Sequence, residues 1–468
     1  MALRSFDEDT IVAVSTPPGE GGIGVVRLSG SEAIAIVDKI FEAAGGKNVA
    51  GQPHMTAQYG FIIAKEGTLK KKIDEVLVLV MRSPKSYTRE DVVEISAHGG
   101  SAVLRAIVEL TVSAGARPAE KGEFTKRAFL SGRLDLLQAE AVLDLISAKT
   151  DLGREWAVAR LEGMSSKKMK ALKDELLGVL SHLEAAIDFP DDFLTTDSYL
   201  DLEKKCKDLS KVVENLLESA HTGLILKNGL KAVIAGRPNV GKSSLLNALC
   251  RMNRAIVTPF PGTTRDVVGE EIQIGGFPVW LYDTAGIHET EHPIEKEGIV
   301  RSKNEVADAD LILYVLDASL PVHVEDEVLV RGLSGRPVVL ILNKMDLASK
   351  TSKADVNSWV GKEGSLAECS SVLEGGAKDV EEAIKKFMTK GSLKTSEGNT
   401  IGSARQKELL EKTLIPIERA RRSCHEKVSP ELVAVDIRAA LGELGLLVGE
   451  VYTDDVLEVL FKQFCIGK

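Results

Sequence analysis

The chain has 468 residues, a formal net charge of −10, 44% hydrophobic residues and 27% charged residues. That length predicts about three domains, and that composition is typical of globular proteins rather than fibrous or disordered ones. The sequence shows no membrane-length apolar run, no signal-peptide pattern and no metal-ligand spacing among its five scattered cysteines. We therefore expect a cytoplasmic protein with reduced thiols and no membrane association.

Residues 1–120 alternate strand-like runs with helical patterns and predict an α+β N-terminal domain. Residues 121–227 carry apolar residues at helical spacing, and helical patterns resume in 389–468. Between them, 228–388 alternates strands and helices. We predict that this α/β segment is inserted into an all-α domain built from both flanks.

The acidic balance means that any nucleic-acid contact must use a local basic patch. The densest basic clusters are Arg419 with Arg421 and Arg422, and the run Lys70–Lys72. The default interpretation of such clusters is a solvated helix face or loop, and an RNA-binding patch is the alternative.

The most informative motif is the run 236–243, which matches G-x-x-x-x-G-K-S. It follows a predicted strand and precedes a predicted helix, as in a phosphate-binding loop. Glycine lets backbone amides approach phosphate oxygens. Lys242 can reach the β- and γ-phosphates as a catalytic cation, and the Ser243 hydroxyl can bind Mg²⁺.

Three further motifs follow in the order that a GTPase requires: Pro261–Asp266, Asp283–Gly286 and Asn343–Asp346. Thr264 can supply a second hydroxyl to Mg²⁺ and close over the γ-phosphate. Asp346 can accept hydrogen bonds from guanine N1–H and the exocyclic amine, a pattern that adenine reverses. The sequence therefore predicts a P-loop GTPase domain.

The predicted GTP-binding residues form four segments. They are Asn239, Val240, Gly241, Lys242, Ser243, Ser244, Thr258, Pro259, Phe260, Pro261, Gly262, Thr263, Thr264, Asp283, Thr284, Ala285, Gly286, Asn343, Lys344, Met345 and Asp346.

The residue after the second of these motifs is Ile287, where Ras-like GTPases have a glutamine that orients water. Water must therefore be positioned by another group. Glu289, Glu291 and Glu295 follow nearby, although a solvated acidic loop explains any one of them as well.

The assembled chain resembles the MnmE (TrmE) family of tRNA-modification GTPases along essentially its full length. The resemblance is carried by five groups of motifs: Thr16–Gly24, Ala116–Pro118, the motifs within Gly122–Leu136, the Gly-Thr-Thr-Arg-Asp loop, and the terminal Phe464–Lys468. Ribosome-assembly GTPases share the phosphate loop but not the N-terminal signature or the cysteine tail. A regulatory switch in ribosome assembly is nevertheless the alternative function.

The resemblance implies an activity at carbon 5 of the tRNA wobble uridine, performed by a homodimer together with the flavoprotein MnmG. A tetrahydrofolate derivative, 5-formyl- or methylene-tetrahydrofolate, would supply a one-carbon unit. The family pattern places folate contacts at Arg27, Glu94, Arg133 and Lys468. A strand-end ion pair is the alternative for Arg27 and Glu94.

The resemblance also implies a K⁺ site at Asn239, Thr258, Phe260 and Thr263, in addition to Mg²⁺ at Ser243 and Thr264. K⁺ would stabilise transition-state charge, since no arginine finger is evident in this stretch. Glu295 matches the family residue that helps to orient water. For Asn239, a hydrogen bond that orders the loop is the alternative.

Cys465 lies near the chain end, and we interpret it as a catalytic thiol on a flexible tail after a helix over 455–464. A prenylation box fits poorly because Gly467 and Lys468 follow. A buried structural cysteine is the remaining alternative. The other four cysteines fall in helical or GTPase segments and are expected to be structural.

Overall fold

The computed structural model describes residues 9–46, 48–66, 69–189, 196–253, 269–283, 309–333, 335–360, 364–389 and 401–468. They divide into two compact units. The first comprises the described parts of Met1–Leu143, Leu161–Lys170 and Gly442–Lys468; the second comprises those of Asp144–Arg160 and Ala171–Leu441. The boundaries of the three predicted domains remain predictions.

The first unit is built on a sheet whose described strands run in the order β3-β4-β5-β6-β2-β1-β7. All pairings are antiparallel except that of β1 with β7. The strands are β1 (Ile11–Val14), β2 (Gly21–Ser29), β3 (Phe41–Ala43), β4 (Thr56–Glu66), β5 (Leu69–Met81), β6 (Val92–Gly99) and β7 (Arg117–Pro118).

Alternation along these strands determines which face is buried. In β2, Val26 and Leu28 are fully buried while Val25 and Arg27 point to the opposite, half-exposed face. Helices α1 (Ala33–Ile40) and α2 (Ser101–Ser113) cover the apolar face and complete the core. This confirms the α+β prediction and leaves Arg27 on a face that is available to ligands.

Helices dominate the stretch predicted to be helical. They are α3 (Glu123–Leu130), α4 (Leu136–Ser147), α5 (Asp151–Leu161), α6 (Met164–Asp188) and α7 (Thr196–Asn228). The helices of the GTPase segment are α8 (Lys242–Met252), α9 (Val324–Gly332), α10 (Lys353–Val356) and α11 (Lys378–Thr389). The chain ends with α12 (Ala404–His425), α13 (Pro430–Val448) and α14 (Asp454–Phe461).

The second unit contains a sheet with the described strand order β13-β12-β11-β8-β10-β9. Its pairings are parallel except for the edge strand β9. The strands are β8 (Leu230–Ala235), β9 (Glu270–Ile274), β10 (Phe277–Asp283), β11 (Leu311–Asp317), β12 (Val338–Asn343) and β13 (Ser365–Glu368). Core residues lie on both faces, as a parallel sheet requires.

Within the same unit, α7 packs against α12. The two helices come from opposite sides of the GTPase segment in the sequence. Their contact is compatible with the predicted insertion. None of the described helices is long and apolar enough to span a bilayer.

Candidate functional site: a nucleotide-binding loop and an N-terminal ion-pair site

The phosphate loop connects β8 to α8 and depends on two glycines. Gly236 has φ +143°, and a Cβ there would stand 2.5 Å from the Val315 carbonyl oxygen. Gly241 has φ +99°, and a Cβ there would stand 2.3 Å from Asn343 Nδ2. Side chains at either position would push neighbouring groups away from the loop. The sequence requires glycine here because the loop is both left-handed and crowded.

Lys242 begins α8 and lies under the loop. Its Nζ donates hydrogen bonds of 2.9 Å to the carbonyl oxygens of Gly236 and Arg237. Burial lowers the pKa of Lys242, while the charge of Asp283 opposes that shift. The ammonium is therefore held where the loop amides and the helix N-terminus also converge, which is an anion-binding arrangement.

Ser243 and Asp283 bring two oxygens together at the ends of the loop and of β10. The Ser243 hydroxyl donates to Asp283 Oδ2 at 2.8 Å. Hydroxyl and carboxylate oxygens are the hard donors that Mg²⁺ prefers, so these two residues fit the predicted metal. Among the described residues, no cluster of three His, Cys, Asp or Glu side chains suits a metal ion. A Mg²⁺ site here would therefore combine the Ser243 hydroxyl and the Asp283 carboxylate with phosphate and water oxygens.

Asn343 and Lys344 follow one another at the end of β12, and both donate hydrogen bonds to the backbone of the phosphate loop. Asn343 is 1% exposed and donates through Nδ2 to the Val240 carbonyl at 2.9 Å. Lys344 donates through Nζ to the Asn239 carbonyl at 2.9 Å and to Asp317 Oδ2 at 2.6 Å. Both residues therefore brace the phosphate loop through its backbone carbonyls.

Two serines that sequence reasoning missed complete this region. Ser370 donates to Asp346 Oδ1 at 2.5 Å. Ser371 donates to Asn343 Oδ1 from its hydroxyl at 2.8 Å and from its amide at 3.2 Å. Both follow β13, whose neighbour in the sheet is β12. The signal that could have identified these serines is their position at the end of a strand that neighbours the strand with the Asn-Lys-Met-Asp motif.

A cavity of about 310 Å³ adjoins the outer side of the phosphate loop. Buried Asp326 lies in its wall, accepts the Tyr314 hydroxyl at 2.9 Å and faces the Arg237 guanidinium at 3.6 Å. Burial, reinforced by the charge of Asp326, raises the pKa of Tyr314. These contacts direct the Arg237 side chain into this wall, which the sequence did not predict.

Several predicted residues lie outside the described residues. They are Thr258, Pro259, Phe260, Pro261, Gly262, Thr263, Thr264, Thr284, Ala285, Gly286, Ile287, Glu289, Glu291 and Glu295.

In the first unit, Arg27 and Glu94 are direct partners across β2 and β6. Arg27 Nε lies 2.8 Å and Nη2 lies 2.7 Å from Glu94 Oε1. The two side chains are 18% and 23% exposed, so the pair is reachable from solvent. The ion pair that we considered as an alternative therefore exists. It does not exclude ligand binding, because both bonds use the same oxygen, Oε1, of Glu94.

Tyr87 lies between the two predicted folate-site arginines. The Arg133 guanidinium stacks on its ring at 4.7 Å, and its hydroxyl contacts Thr125 Oγ1 at 3.0 Å. Burial raises the pKa of Tyr87, while the charges of Arg133 and Arg27 oppose that shift. The fold thus places Tyr87 within electrostatic reach of both Arg27 and Arg133, and sequence reasoning missed that ring.

The chain terminus is attached to this region. Gly467 O accepts hydrogen bonds from Arg27 Nη1 at 3.2 Å and from Ser15 Oγ at 3.1 Å. Cys465 O accepts from the Gly122 amide at 3.3 Å, and Ile466 bridges to Lys121. Half-buried Lys468 therefore ends beside the same site.

These contacts correct the prediction of a flexible tail. The last helix ends at Phe461 rather than 464. The residues after it are held by the hydrogen bonds to Gly122, Ser15 and Arg27, and the chain turns at Gly467, whose φ is +92°. The Cys465 side chain itself is exposed, so the alternative of a buried cysteine is wrong. Of the four cysteines expected to be structural, Cys206, Cys369 and Cys424 are buried and Cys250 is half-buried.

A buried ion network that the sequence did not reveal supports this region. Arg127 is 5% exposed and donates to Asp9 Oδ1 at 2.6 Å, to Glu90 Oε1 at 3.1 Å and to Glu123 Oε1 at 3.1 Å. Arg117 adds a 2.7 Å bond to Glu123 Oε1. Although burial raises the pKa of Glu123, hydrogen bonds from Arg117 and the Glu120 amide bring it below its ordinary value.

A parallel α/β sheet with this loop, this lysine and this Asn-Lys-Met-Asp corner defines the class of P-loop GTPases. Two family models match the chain: the GTP-binding protein TrmE N-terminus at residues 10–133 and the MnmE helical domain at 136–465.

Curated relatives named tRNA modification GTPase MnmE match it over nearly their whole length. The relative from Thermoanaerobacter pseudethanolicus is 43% identical over 98% of this chain and 99% of its own. That from Alkaliphilus metalliredigens is 44% identical over 99% and 100%. The chain belongs to the MnmE family.

Among solved structures, the G domain of the FeoB iron transporter of T. maritima is similar to this chain. It is 28% identical, covers 34% of this chain and 98% of its own, and has a TM-score of 0.25.

Proposed function

We propose that this protein hydrolyses GTP and couples that hydrolysis to modification of carbon 5 of the tRNA wobble uridine, in complex with the flavoprotein MnmG. The GTP hydrolysis part of this proposal rests on the arrangement of Lys242, Ser243 and Asp346, which lie at the same edge of the sheet as the phosphate loop. The names of the full-length relatives support the tRNA half.

In this proposal, different residues bind the phosphates and recognise the guanine of GTP. The loop amides and Lys242 bind the phosphates and offset the charge that develops on them. Asp346, held by Ser370, presents its carboxylate to the guanine edge. Mg²⁺, held by Ser243 and Thr264, would supply charge neutralisation between the phosphates. We retain Glu295 as the group that orients water.

A K⁺ site at Asn239, Thr258, Phe260 and Thr263 is part of the proposal. Asn239 is supported by its conformation: its φ is +64°, and its side chain is exposed. Within the described part of the chain, its backbone carbonyl bonds Lys344, and no hydrogen bond from its side chain orders the loop. An exposed neutral amide oxygen fits a hard monovalent cation.

We further propose that 5-formyl- or methylene-tetrahydrofolate binds at Arg27, Glu94, Arg133 and Lys468 in a homodimer. The amino-pyrimidine edge of a pterin matches a carboxylate such as Glu94, and arginine suits the carboxylates of the folate tail. Exposed Cys465 lies in the segment bonded to Arg27 through Gly467, so its thiol would act on the group that the folate carries.

The decisive experiment reconstitutes the reaction. Purified protein, the flavoprotein partner, tRNA, GTP and reduced folate are combined, and tRNA nucleosides are analysed by mass spectrometry. We expect a modified wobble uridine that disappears without GTP or without folate. Normal GTP turnover with no folate binding and no nucleoside change would instead favour the ribosome-assembly switch.

A further inference from the structure

Two cysteines lie in the interface between α7 and α12. Cys206 on α7 is 0% exposed and Cys424 on α12 is 1% exposed. Neither belongs to the nucleotide site or to the ion-pair site. Single buried cysteines are ordinary core residues, so the informative feature is their placement relative to each other.

The antiparallel register of the helices sets that placement independently of the thiols. Tyr199 donates from its hydroxyl to the Val428 carbonyl at 3.0 Å. One turn further along α7, Glu203 pairs with His425 at 3.3 Å. As the number rises on α7, the partner number falls on α12. The next turn therefore brings the residues that follow Glu203 opposite those that precede His425.

Cys206 is three residues after Glu203, on the same helix face, and Cys424 immediately precedes His425. The Cys206 and Cys424 thiols lie close enough for each to shift the pKa of the other. Packed helices have axes about 8–10 Å apart, so side chains facing each other across such an interface are within reach of an S–S bond. We propose that Cys206 and Cys424 form a reversible disulfide that links the two helices on either side of the GTPase segment.

Contact with Cys206 lowers the pKa of the Cys424 thiol, whereas the same contact and burial raise the pKa of Cys206. Cys424 is therefore the attacking group. The neighbouring charges are Glu203 beside Cys424, and Glu418 and Arg421 beside Cys206.

The oxidant is hydrogen peroxide. The Cys424 thiolate attacks one peroxide oxygen, the O–O bond breaks, and a sulfenic acid and hydroxide form; the hydroxide takes up the proton that the Cys424 thiol released and becomes water. The Cys206 sulfur then attacks the sulfenic sulfur, forming the S–S bond as the S–O bond breaks. The hydroxide takes the proton from Cys206 and leaves as water. Both sulfurs are oxidised and the peroxide is reduced; a dithiol reductant reverses the step.

The consequence lies in the position of the bond. The helix α7 ends at Asn228, directly before the first strand of the GTPase sheet, and α12 begins at Ala404 after that segment. A cross-link would close a loop that contains the whole segment and would prevent α7 and α12 from separating. GTP turnover in the oxidised protein reports whether such separation accompanies the catalytic cycle.

The test treats the full chain with hydrogen peroxide, blocks free thiols with N-ethylmaleimide, and maps peptides without reductant. We expect a Cys206–Cys424 peptide pair, an intramolecular mass loss of about 2 Da, and full reversal by dithiothreitol. Cys206→Ser and Cys424→Ser should each lose the pair. Cys250→Ser is the matched control and should retain it.

Peroxide reaches exposed Cys465 first, so its oxidation measures the dose. If Cys465 is completely oxidised while Cys206 and Cys424 are both alkylated after unfolding, the proposal is overturned. Cross-links that join only Cys465 of two molecules would overturn it equally. The linkage is measured on the unsubstituted protein, so a variant that fails to fold does not decide the outcome.

Discussion

The nucleotide site and the N-terminal ion-pair site are assembled in different ways. The nucleotide site draws Lys242, Ser243 and Asp346 from short runs at strand ends, where the sheet edge gathers them. The N-terminal site draws its groups from β2, β6, the turn after α3 that carries Arg133 and the last residues of the chain. Short local motifs specify most of the first site, whereas the second exists only when distant segments have met.

The two sites also treat their charges differently. Lys344 and Asp317 form an ion pair that holds the phosphate loop and leaves Asp346 to the ligand. Arg27 and Glu94 pair with each other, so a ligand must share or replace that bond. We therefore expect substitutions at the nucleotide site to act mainly on binding and catalysis, and substitutions at the N-terminal site to act on stability as well.

The largest expected effect follows from replacing Lys242. Lys242→Met keeps the length of the side chain and removes the cation that contacts the phosphates. We expect GTP turnover to fall by at least roughly a hundredfold, as for loss of one preorganised charge contact. Phosphate release from GTP measures it. Lys231→Met, on β8 but exposed and away from the loop, is the control and should keep normal turnover.

Asp346→Asn should have the next largest effect. The amide no longer accepts guanine N1–H, so GTP binding should weaken by roughly a hundredfold, the loss of a charged hydrogen-bond pair. Binding of xanthosine triphosphate should improve instead. Competition with a fluorescent nucleotide gives both affinities, and exposed Asp379→Asn in the same domain is the control. Unchanged selectivity would show that Asp346 serves only to bond Ser370.

Much of the nucleotide site follows from sequence because its residues act through backbone context that the motif itself specifies. Gly236, Gly241 and the strand–loop–helix order were predictable in this sense. Ser370 and Asp317 were not, because each is an unremarkable residue at a strand end until the strand order places it beside Asp346 or Lys344. The parallel sheet, not any local pattern, makes that placement.

The N-terminal site shows more clearly which contacts cannot be predicted from the sequence. Arg27 and Glu94 were expected from the family resemblance, but Tyr87 and the Arg127 network were missed because their partners are remote in sequence. The flexible tail was predicted from the absence of a helical pattern after Phe464. Hydrogen bonds from the Gly122 amide and from the Ser15 and Arg27 side chains to carbonyl oxygens of that segment order it instead, and no periodicity in the sequence reports such bonds.

Glu94→Gln tests the second site. It keeps the shape and one hydrogen bond but removes the charge, so affinity for 5-formyltetrahydrofolate should fall by roughly tenfold. Calorimetry measures it. Glu75→Gln, on β5 of the same sheet and bonded to the Tyr59 hydroxyl, is the matched control. A lower melting temperature with unchanged folate affinity would assign Glu94 to the ion pair alone.

The smallest effect concerns the ion pair that supports the nucleotide loop. Burial raises the pKa of Asp317, but hydrogen bonds from Lys344 and Ser319 bring that pKa below its ordinary value of 3.8. A carboxyl whose folded pKa is depressed contributes stability fully above that ordinary value and loses it as the pH falls through the folded pKa.

At pH 7, Asp317→Asn should therefore lower the free energy of unfolding by on the order of 1 kcal/mol. The difference from the unsubstituted protein should shrink once the pH falls below about 4, where the Asp317 carboxyl begins to protonate in the unfolded chain, and should vanish as the pH falls through the folded pKa. Urea unfolding followed by tryptophan fluorescence at each pH measures this. A difference that persists undiminished at low pH would mean that Asp317 acts through its shape and its bond to Ser319 rather than through its charge. The contrast with Arg27–Glu94, which we propose also binds a ligand, would then lose its electrostatic basis.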